Sequence, residues 1–384
     1  MKEYNKALYS RFVVNGVELE ATPYELLAEC SLDPEEEISK AKCEGKILDE
    51  QLDPPLSSHI YSDDEFNTYL SQTYDLVGKE RNVPICYSES YTRIKIATAL
   101  TGTLWNGGHY KSGNIALDTC WTWNDKKIGN MAAFYTSVYA ANEYIFDLNV
   151  KIRDFDYKSD DSKCRLAVNA AIISGKEEDD TDSEEMALKE SPYKSRHAWT
   201  DGQRCCPEHI VEDEESWIIY IPFDTCSLKL GGSLLAQTCN HSGEAAPDMQ
   251  DPDYTIDCYE VVRELVEDKI ITAGITVADG GLACALKTFC NGYGMEIGLG
   301  GLKASYPEAS NTHLLFSEVP GVLIQIRDID YDYVDSQLLL QDVAYYPLGH
   351  PDLKSKKLRI AESNDSDVFG ILKSLLDQAS EGED

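Results

Sequence analysis

Residues 270–282 read IITAGITVADGGL, a β-branched apolar run followed by Asp279-Gly280-Gly281 and the small helix formers of LACAL. This pattern predicts a strand, a tight glycine turn and the first turn of a helix. The free N–H groups and the positive dipole end of such a helix start suit an anion or a phosphate. A plainer and commoner interpretation is that the glycines only let strand and helix approach closely. These residues alone leave both interpretations open.

A second glycine turn lies upstream, in the stretch LKLGGSLLAQTCN at residues 228–240. Gly231 and Gly232 come directly before a helix that the pattern starts at Ser233. Serine is a favoured N-cap because its hydroxyl accepts a hydrogen bond from a free N–H of the first turn. The sequence therefore predicts two helix starts, each preceded by a pair of glycines.

Strands and helices alternate on both sides of these turns. Residues 214–376 are predicted to be one α/β subdomain, which closes with the helix DVFGILKSLLDQ at 367–378. Residues 84–175 carry another set of helices and strands, and the apolar run CRLAVNAAIISG at 164–175 is typical of a strand buried on both faces. The predicted fold class is α/β (α+β), with helices packed on mixed sheets.

The N-terminal region, residues 1–80, is predicted to be a small acidic helical module. Its expected helices are capped at Thr22, Asp33 and Ser62, and proline follows the first two of these caps. The carboxylates of this region are interpreted as a solvated face, so that no chemistry is assigned to it.

Two further regions are set apart by composition. Residues 176–213 are an insertion that begins KEEDDTDSEEM and continues into a basic, cysteine-containing stretch. The acidic part has no hydrophobic period, which is typical of a solvated loop. Residues 377–384 are expected to be a frayed acidic tail.

The overall charge excludes some classes of partner. The chain has 384 residues and a formal net charge of −34, from 68 acidic and 34 basic residues. A field of this sign repels nucleic acid and anionic membranes, and it favours solubility or a basic partner. The first residues, MKEYNKALYS, lack the apolar region of a secretory signal, and no apolar run is long enough to span a bilayer. The expected location is the cytoplasm.

The 12 cysteines are scattered along the chain, which favours reduced thiols over a disulfide framework. Two groupings have some features of a metal site, Cys205-Cys206-x-x-His209 and Cys239-Asn240-His241. Zinc sites usually combine two paired halves, and neither grouping has a second half. We therefore expect no metal there.

Taken in order, the motifs of residues 85–375 resemble the second of the two repeated synthetase halves of phosphoribosylformylglycinamidine synthase. LGGSLLAQ at 230–237 matches the family's LGGSALAQ, and LFSEVPG at 315–321 resembles LFSESPG. Other stretches resemble the family's GEALTN helix, its LSANWMW strand, the helix that follows and its SLVISA strand: residues 91–105, 117–123, 131–150 and 167–174. The resemblance implies the aminoimidazole ribonucleotide synthetase fold, with N-terminal-like and C-terminal-like subdomains. Residues 1–80 match no part of the family.

The polar positions of these motifs depart from the family. ITVADGGL stands where the family has HDxSDGGL, so that His, Asp and Ser are replaced by Ile275, Thr276 and Ala278. The resemblance implies that the Glu and Asn of GEALTN help to hold Mg²⁺ around a nucleotide, and these positions are here Thr98 and Gly102. The family's GKDS loop falls at residues 153–156, which read RDFD. Because Mg²⁺ needs charged oxygen ligands, these changes leave Asp279 as the one recognisable acid.

The resemblance and the departures together predict a degenerate, non-catalytic homologue that acts as a structural or regulatory, partner-binding subunit. The alternative is an active ATP-dependent subunit of a multi-chain phosphoribosylformylglycinamidine synthase. A third hypothesis is a binding module for an unrelated partner, in which residues 1–80 and 176–190 are the functional parts. The expected partner is a second copy of the chain, in a homodimer, or a subunit of synthetase or glutaminase type.

No catalytic residue is assigned from the sequence. The expected remnant of a nucleotide or phosphate site consists of Asp279, Gly280, Gly281, Gly231, Gly232 and Ser233. Asp279 is the one candidate metal ligand, and a repositioned metal site would need Glu89, Asp118 or Asp156 to converge on it. No cofactor is assigned, and binding of Mg-ATP or Mg-ADP is left open.

Overall fold

The computed structural model describes residues 6–47, 50–52, 61–106, 112–173, 204–241 and 244–361. The predicted last helix at 367–378, the tail at 377–384 and most of the 176–213 insertion lie outside the described residues. The helices are α1 Pro23–Glu29, α2 Pro34–Ser39, α3 Phe66–Tyr74, α4 Ser88–Thr103, α5 Asn130–Asp147, α6 Leu234–Thr238, α7 Pro252–Glu267, α8 Gly281–Cys290, α9 Gly300–Ser305, α10 Asn311–Phe316 and α11 Tyr331–Leu340. The strands are β1 Ser10–Arg11, β2 Val13–Val14, β3 Val17–Glu18, β4 Gly45–Lys46, β5 Ile115–Trp123, β6 Lys151–Ser159, β7 Arg165–Ile172, β8 Trp217–Pro222, β9 Ile271–Val277, β10 Gly294–Ile297, β11 Gly321–Ile326, β12 Tyr346–Gly349, β13 Pro351–Asp352 and β14 Leu358–Ile360.

Two of the three predicted N-terminal caps are confirmed. Thr22 accepts from the Glu25 N–H and Glu25 accepts from the Thr22 N–H, a reciprocal capping box at the start of α1. Asp33 accepts from the Glu36 N–H and starts α2. The third cap is wrong, because Ser62 makes no capping hydrogen bond and α3 begins only at Phe66.

A three-stranded sheet in the order β6-β5-β7 carries α4 and α5 on one face. β5 runs parallel to β6 and antiparallel to β7. Trp121 and Trp123 of β5 are fully buried beneath α5, because alternate residues of the strand point to the same side. The expectation that CRLAVNAAIISG is buried on both faces is wrong. β7 is an edge strand, and its Ala167 and Asn169 are exposed.

The second large sheet has the strand order β12-β8-β11-β9 and is antiparallel at every pairing. Its central strand β11 is buried along its whole length, since it lies between β8 and β9. A smaller mixed sheet, β13-β10-β14, lies beside it. The described part of the chain is therefore built from helices on one antiparallel and two mixed sheets, in agreement with the predicted α/β (α+β) fold class.

The N-terminal residues share the cores of the rest of the chain. Phe12 and Leu27 belong to the core that contains Phe134, and Tyr69 of α3 lies against Phe316. The domain boundaries stay predictions, although the packing joins residues 6–47 closely to α5 through contacts with α1. Among the described residues, no helix is long and apolar enough to cross a bilayer.

Candidate functional site

Three turns from separate parts of the sequence meet in the fold. Ser233 caps α6 by accepting from the Ala236 N–H, and Gly280 begins α8 from the left-handed region at φ 81°. The third turn, Ser317–Pro320, links α10 to β11. A Cβ atom on Gly281 would lie 2.6 Å from the Ser317 carbonyl oxygen, so a side chain at this position does not fit. The plainer interpretation of the DGG glycines, close approach of backbone, is therefore met in the structure.

The carboxylate of Glu318 lies at the centre of these turns. Its Oε1 atom accepts from the Leu234 N–H at 2.8 Å and from the Gly280 N–H at 2.8 Å. The side chain is only 5 % exposed. The two helix starts therefore do bind an anion, as the helix dipole favours, and in this structure the anion is a side chain of the same chain.

The charge of Glu318 is balanced by Arg81, which lies just before α4 in sequence. The Arg81 guanidinium donates to both Glu318 oxygens at 2.9–3.1 Å, and its Nη2 also donates to the Gly232 carbonyl oxygen at 2.9 Å. Burial, the largest single influence, lowers the pKa of Arg81, but Glu318, Tyr91 and Asp279 together outweigh burial and the pKa is raised. Arg81 thus joins the LGGS turn to the Ser317–Pro320 turn through a buried, bidentate ion pair.

Asp279, the acid retained from the family motif, is held by two cations of the chain. Its Oδ1 atom accepts from Lys95 of α4 at 2.9 Å and from Arg81 at 3.1 Å. The ring of Tyr91 lies under both cations, 4.9 Å from the guanidinium and 5.4 Å from the ammonium. Burial would raise the pKa of Asp279, but Lys95 and Arg81 together outweigh it, and the pKa is lowered.

The LGGS turn is covered by the segment Glu244–Pro247. The Gly231 N–H donates to the Ala245 carbonyl oxygen at 2.9 Å, and a Cβ atom on Gly231 would overlap the Glu244 carbonyl oxygen. His313 of α10 holds the segment through a 2.8 Å contact between its Nε2 atom and Glu244 Oε1. The cavity left between the turn and the segment is about 10 Å³, room for about one water molecule.

Trp105 covers the strand that leads into the DGG turn. Its indole N–H donates to the Thr276 hydroxyl at 2.8 Å, and its ring lies directly on Gly274, where a side chain would overlap it. Arg204 packs on Trp105, with its guanidinium 5.7 Å from the centre of the indole ring. The same guanidinium donates a hydrogen bond to the Gly274 carbonyl oxygen. Thr276, which replaces the family's first aspartate, therefore bonds to a side chain of the protein.

The other candidate acids lie elsewhere, each beside its own cation. Glu89 pairs with Arg93, Asp118 with Arg153 and Asp156 with Lys158. None of the three converges on Asp279. Within the described ranges, no group of three or more His, Cys, Asp or Glu residues could hold a metal ion.

The cysteine groupings show no shared site either. Cys206 is buried, whereas the Nδ1 atom of His209 contacts the Thr288 carbonyl oxygen at 3.0 Å. All 12 cysteines are free thiols, and half of them are buried, in line with the expectation of reduced thiols.

The structure brings together all six residues of the expected remnant, but it adds residues that the sequence analysis did not assign: Arg81, Lys95, Trp105 and Glu318. Glu318 lay within the quoted LFSEVPG motif, so its signal was present. Arg81 and Lys95 are single cations in ordinary surroundings, and no local pattern marks them. Their role depends on contacts across 151 to 237 positions of sequence.

One antiparallel and two mixed sheets carry the helices, and the glycine turns meet beside them. This architecture defines the class by its fold, the aminoimidazole ribonucleotide synthetase fold. The structure is similar to that of Thermotoga maritima PurL complexed with FGAR, with a TM-score of 0.50 and 10 % identity over 77 % of this chain and 42 % of that chain. At this identity the likeness concerns the fold alone.

The sequence is similar to phosphoribosylformylglycinamidine synthase. It is 24 % identical over 276 residues to a probable chloroplastic/mitochondrial enzyme of this name from Arabidopsis thaliana, a match of 71 % of this chain and 18 % of the relative. It is 23 % identical over 305 residues to that of Dictyostelium discoideum, covering 76 % of this chain and 21 % of the relative. The chain thus spans about a fifth of the length of these relatives. No protein-family model matches it.

Proposed function

We propose that the chain is a non-catalytic homologue of a phosphoribosylformylglycinamidine synthase half, and that it acts as a structural or regulatory, partner-binding subunit. The observation that carries this proposal is the state of Asp279. The one acid retained from the family's metal-binding motif is neutralised by Lys95 and Arg81. The enzyme family is an ATP-dependent ligase of purine biosynthesis, and this chemistry is proposed to have been lost.

The physical argument concerns charge. Phosphoryl transfer depends on metal and cation positions that neutralise the developing charge on the phosphates. A Mg²⁺ ion at Asp279 would lie within a few ångströms of two fixed cations and would be repelled by both. The cations cannot leave without cost, because Arg81 would then leave Glu318 as a buried, uncompensated charge.

The argument from space leads to the same proposal. A ligand site usually occupies several hundred Å³, whereas the cavity at the LGGS turn is about 10 Å³. Segment Glu244–Pro247 covers the LGGS turn, and Trp105 covers Gly274 and Thr276 of β9, the strand that leads into the DGG turn. A nucleotide would have to displace both elements.

The outer face of the β6-β5-β7 sheet is proposed as the partner-binding surface. The face opposite α4 and α5 carries the partly exposed Asp118 and Cys120 of β5 and the exposed Ala167 and Asn169 of β7. In the described part of the chain this face is open to solvent. An open sheet face of this kind can be covered by a second sheet packed against it. A second copy of the chain or a subunit of synthetase type would supply such a sheet.

Isothermal titration calorimetry with Mg-ADP and Mg-ATP tests the loss of the nucleotide site. We expect no heat of binding at micromolar concentrations of the purified chain. Micromolar binding that is abolished in Asp279→Asn would overturn the non-catalytic proposal in favour of the alternative, an active ATP-dependent subunit. Binding that survives Asp279→Asn would place the nucleotide at another site, and it would equally contradict the proposed loss of nucleotide binding.

The partner surface has its own test, a charged substitution on the open sheet face. Ala167→Arg is expected to abolish a homodimer in analytical ultracentrifugation, or binding to a synthetase or glutaminase subunit in a pulldown. Ser305→Arg, an exposed position on α9, is the matched control and is expected to leave either complex intact. If Ala167→Arg leaves every detected complex intact, the sheet face is not the interface.

A further inference from the structure

A groove separate from the glycine turns lies at the C-terminal end of α5. It is enclosed by the end of α1, by α5 and by the segment that leads into α7, and its volume is about 580 Å³. This is within the range of ligand pockets in proteins. Its lining includes Glu29, Asn142, Phe146 and Met249. No residue of this groove belongs to the remnant site.

Carboxylates outnumber cations in the groove. Glu29, Glu143 and Asp147 line it, together with the single cation Arg93. Arg93 is already held on several sides, at 2.7 Å by Glu89, at 3.3 Å by Asp248 and at 3.7 Å by Glu143. Glu29 and Asp147 have no ion-pair partner among the described residues, although Asn142 donates to Glu29 at 3.4 Å. The groove lining therefore carries more negative than positive charge, and Lys151 is a further cation that acts, like Glu29 and Asp147, on the neighbouring Cys30.

An exposed aromatic ring stands between these carboxylates. Phe146 is 70 % exposed, although it follows Ile145, which is fully buried in the core. Its neighbour in sequence is Asp147, and Glu143 lies one helical turn before it on the same side of α5. Pro252, which is partly exposed, supplies apolar surface nearby. An aromatic face flanked by carboxylates is the setting that attracts a guanidinium group by stacking and charge together.

We propose that this groove binds a basic segment of a protein partner, with an arginine side chain stacked on Phe146 and paired with Asp147 and Glu29. The charge complementarity is both local and global, since the chain as a whole carries a net charge of −34 and attracts basic surfaces. Arginine is favoured over lysine because its planar group can stack and bond to carboxylates at once. The proposal extends the partner-binding role and does not depend on the state of the nucleotide site.

Fluorescence anisotropy with short labelled peptides tests the groove. The probes are fluorescein-labelled Gly-Arg-Leu-Arg-Gly, its lysine counterpart and its glutamate counterpart, titrated with the full chain at low ionic strength. The arginine peptide is expected to bind several-fold more tightly than the lysine peptide, and the glutamate peptide not at all. Phe146→Ser and Asp147→Asn are each expected to weaken binding of the arginine peptide by roughly two- to fivefold, the scale of one exposed cation–π contact or ion pair.

Matched controls separate the groove from general attraction to an acidic protein. Ile128→Ser removes a side chain that is 83 % exposed, and Asp161→Asn removes a carboxylate that is 79 % exposed. Neither residue belongs to the groove lining. Both are expected to bind the arginine peptide as the wild type does. Equal weakening by Asp161→Asn and Asp147→Asn, or unchanged binding by Phe146→Ser, would overturn the proposal. Absence of Mg-nucleotide binding would leave this result unaffected, so the two proposals can fail separately.

Discussion

Arg81 shows how much of this site depends on one side chain. Its guanidinium contacts Glu318, Asp279 and the Gly232 carbonyl oxygen, which come from three turns. Each turn has its own local sequence signal, but the cation that joins them has none. A buried ion pair of this kind gives little net stability relative to apolar packing, yet it is costly to break from one side.

Arg81→Gln is expected to destabilise the fold by about 3–5 kcal/mol, because Glu318 would remain buried without its counter-ion. The measurement is the free energy of unfolding from urea titration, followed by far-UV circular dichroism. Arg153→Gln, which breaks the exposed pair with Asp118, is the control and is expected to change the unfolding midpoint very little. Equal effects of the two substitutions on the free energy of unfolding would show that Arg81 does not hold the three turns together.

Asp279 gives a prediction that depends on pH. Its pKa is lowered in the folded state, so its contribution to stability is present above the ordinary carboxyl pKa of about 3.9 and is lost as the pH falls through the folded value. Asp279→Asn is expected to be less stable than the wild type at pH 7 by roughly 1.5–3 kcal/mol, the scale of a charge-assisted hydrogen bond.

Urea titrations of both proteins between pH 7 and pH 3 provide the measurement. The difference in stability between the two proteins is expected to narrow below about pH 4. In this range the Asp279 carboxyl of the unfolded wild type takes up a proton before that of the folded state. Asp161→Asn, at an exposed position, is the control and is expected to match the wild type at pH 7. A gap that stays constant across this range would show that the charge of Asp279 is not what stabilises the turn.

At the scale of elements, most helix starts could be predicted because their signals are local. Thr22, Asp33 and Ser233 each cap a helix through a contact three residues away. Ser62 fails for an equally physical reason. The neighbouring Asp63 bonds to the Asn311 and Thr312 N–H groups, so this acidic stretch caps α10 from a distance of almost 250 residues. The prediction that β7 is buried on both faces is wrong because an apolar run does not show whether a strand is central or at the edge of its sheet.

Two glycines that occupy family motifs are expected to respond oppositely to alanine. Gly231→Ala would push a Cβ atom into the backbone of Glu244–Ala245, where the Ala245 carbonyl carbon is 2.6 Å away. Because backbone cannot yield as a side chain does, we expect a loss of about 3 kcal/mol, the upper part of the range for overpacking. The measurement is the unfolding midpoint in urea.

Gly102→Ala is the matched control, since Gly102 lies inside α4 and its Cβ would meet no atom within 4 Å. We expect a gain of up to about 1 kcal/mol from the greater helix propensity of alanine. If both substitutions were neutral, segment Glu244–Pro247 would not be packed on the turn as described.

For the whole molecule, the fold class and the order of motifs could be predicted, whereas the closure of the site could not. The glycine turns, alternation of elements and family motifs are all visible in sequence. The cations at Asp279 and the ring of Trp105 on Gly274 are set by packing between elements far apart along the chain. The replacement of family polar residues is the sequence signal on which the proposed loss of catalysis rests. What fills their space became visible only in the structure.

The net charge leads to a prediction about the molecule as a whole. With 68 acidic and 34 basic residues, the folded chain is destabilised by its own repulsion. Raising NaCl from roughly 20 to 300 mM is expected to increase the urea midpoint, since it shortens the screening length to below about 10 Å. Sucrose of equal osmolality is the control, and it tests whether any gain comes from solute exclusion instead. A midpoint that falls with salt would mean that attractive ion pairs dominate over the net repulsion.

The two amides that share Glu318 Oε1 have a consequence for local opening. The Leu234 and Gly280 N–H groups start different helices, 46 positions apart in sequence, yet each depends on the same oxygen atom. Any fluctuation that withdraws Glu318 exposes both amides to solvent together, and neither helix start is protected independently. In deuterium the two amides should therefore exchange through one shared opening event. The starts of α6 and α8 then behave as a single cooperative unit.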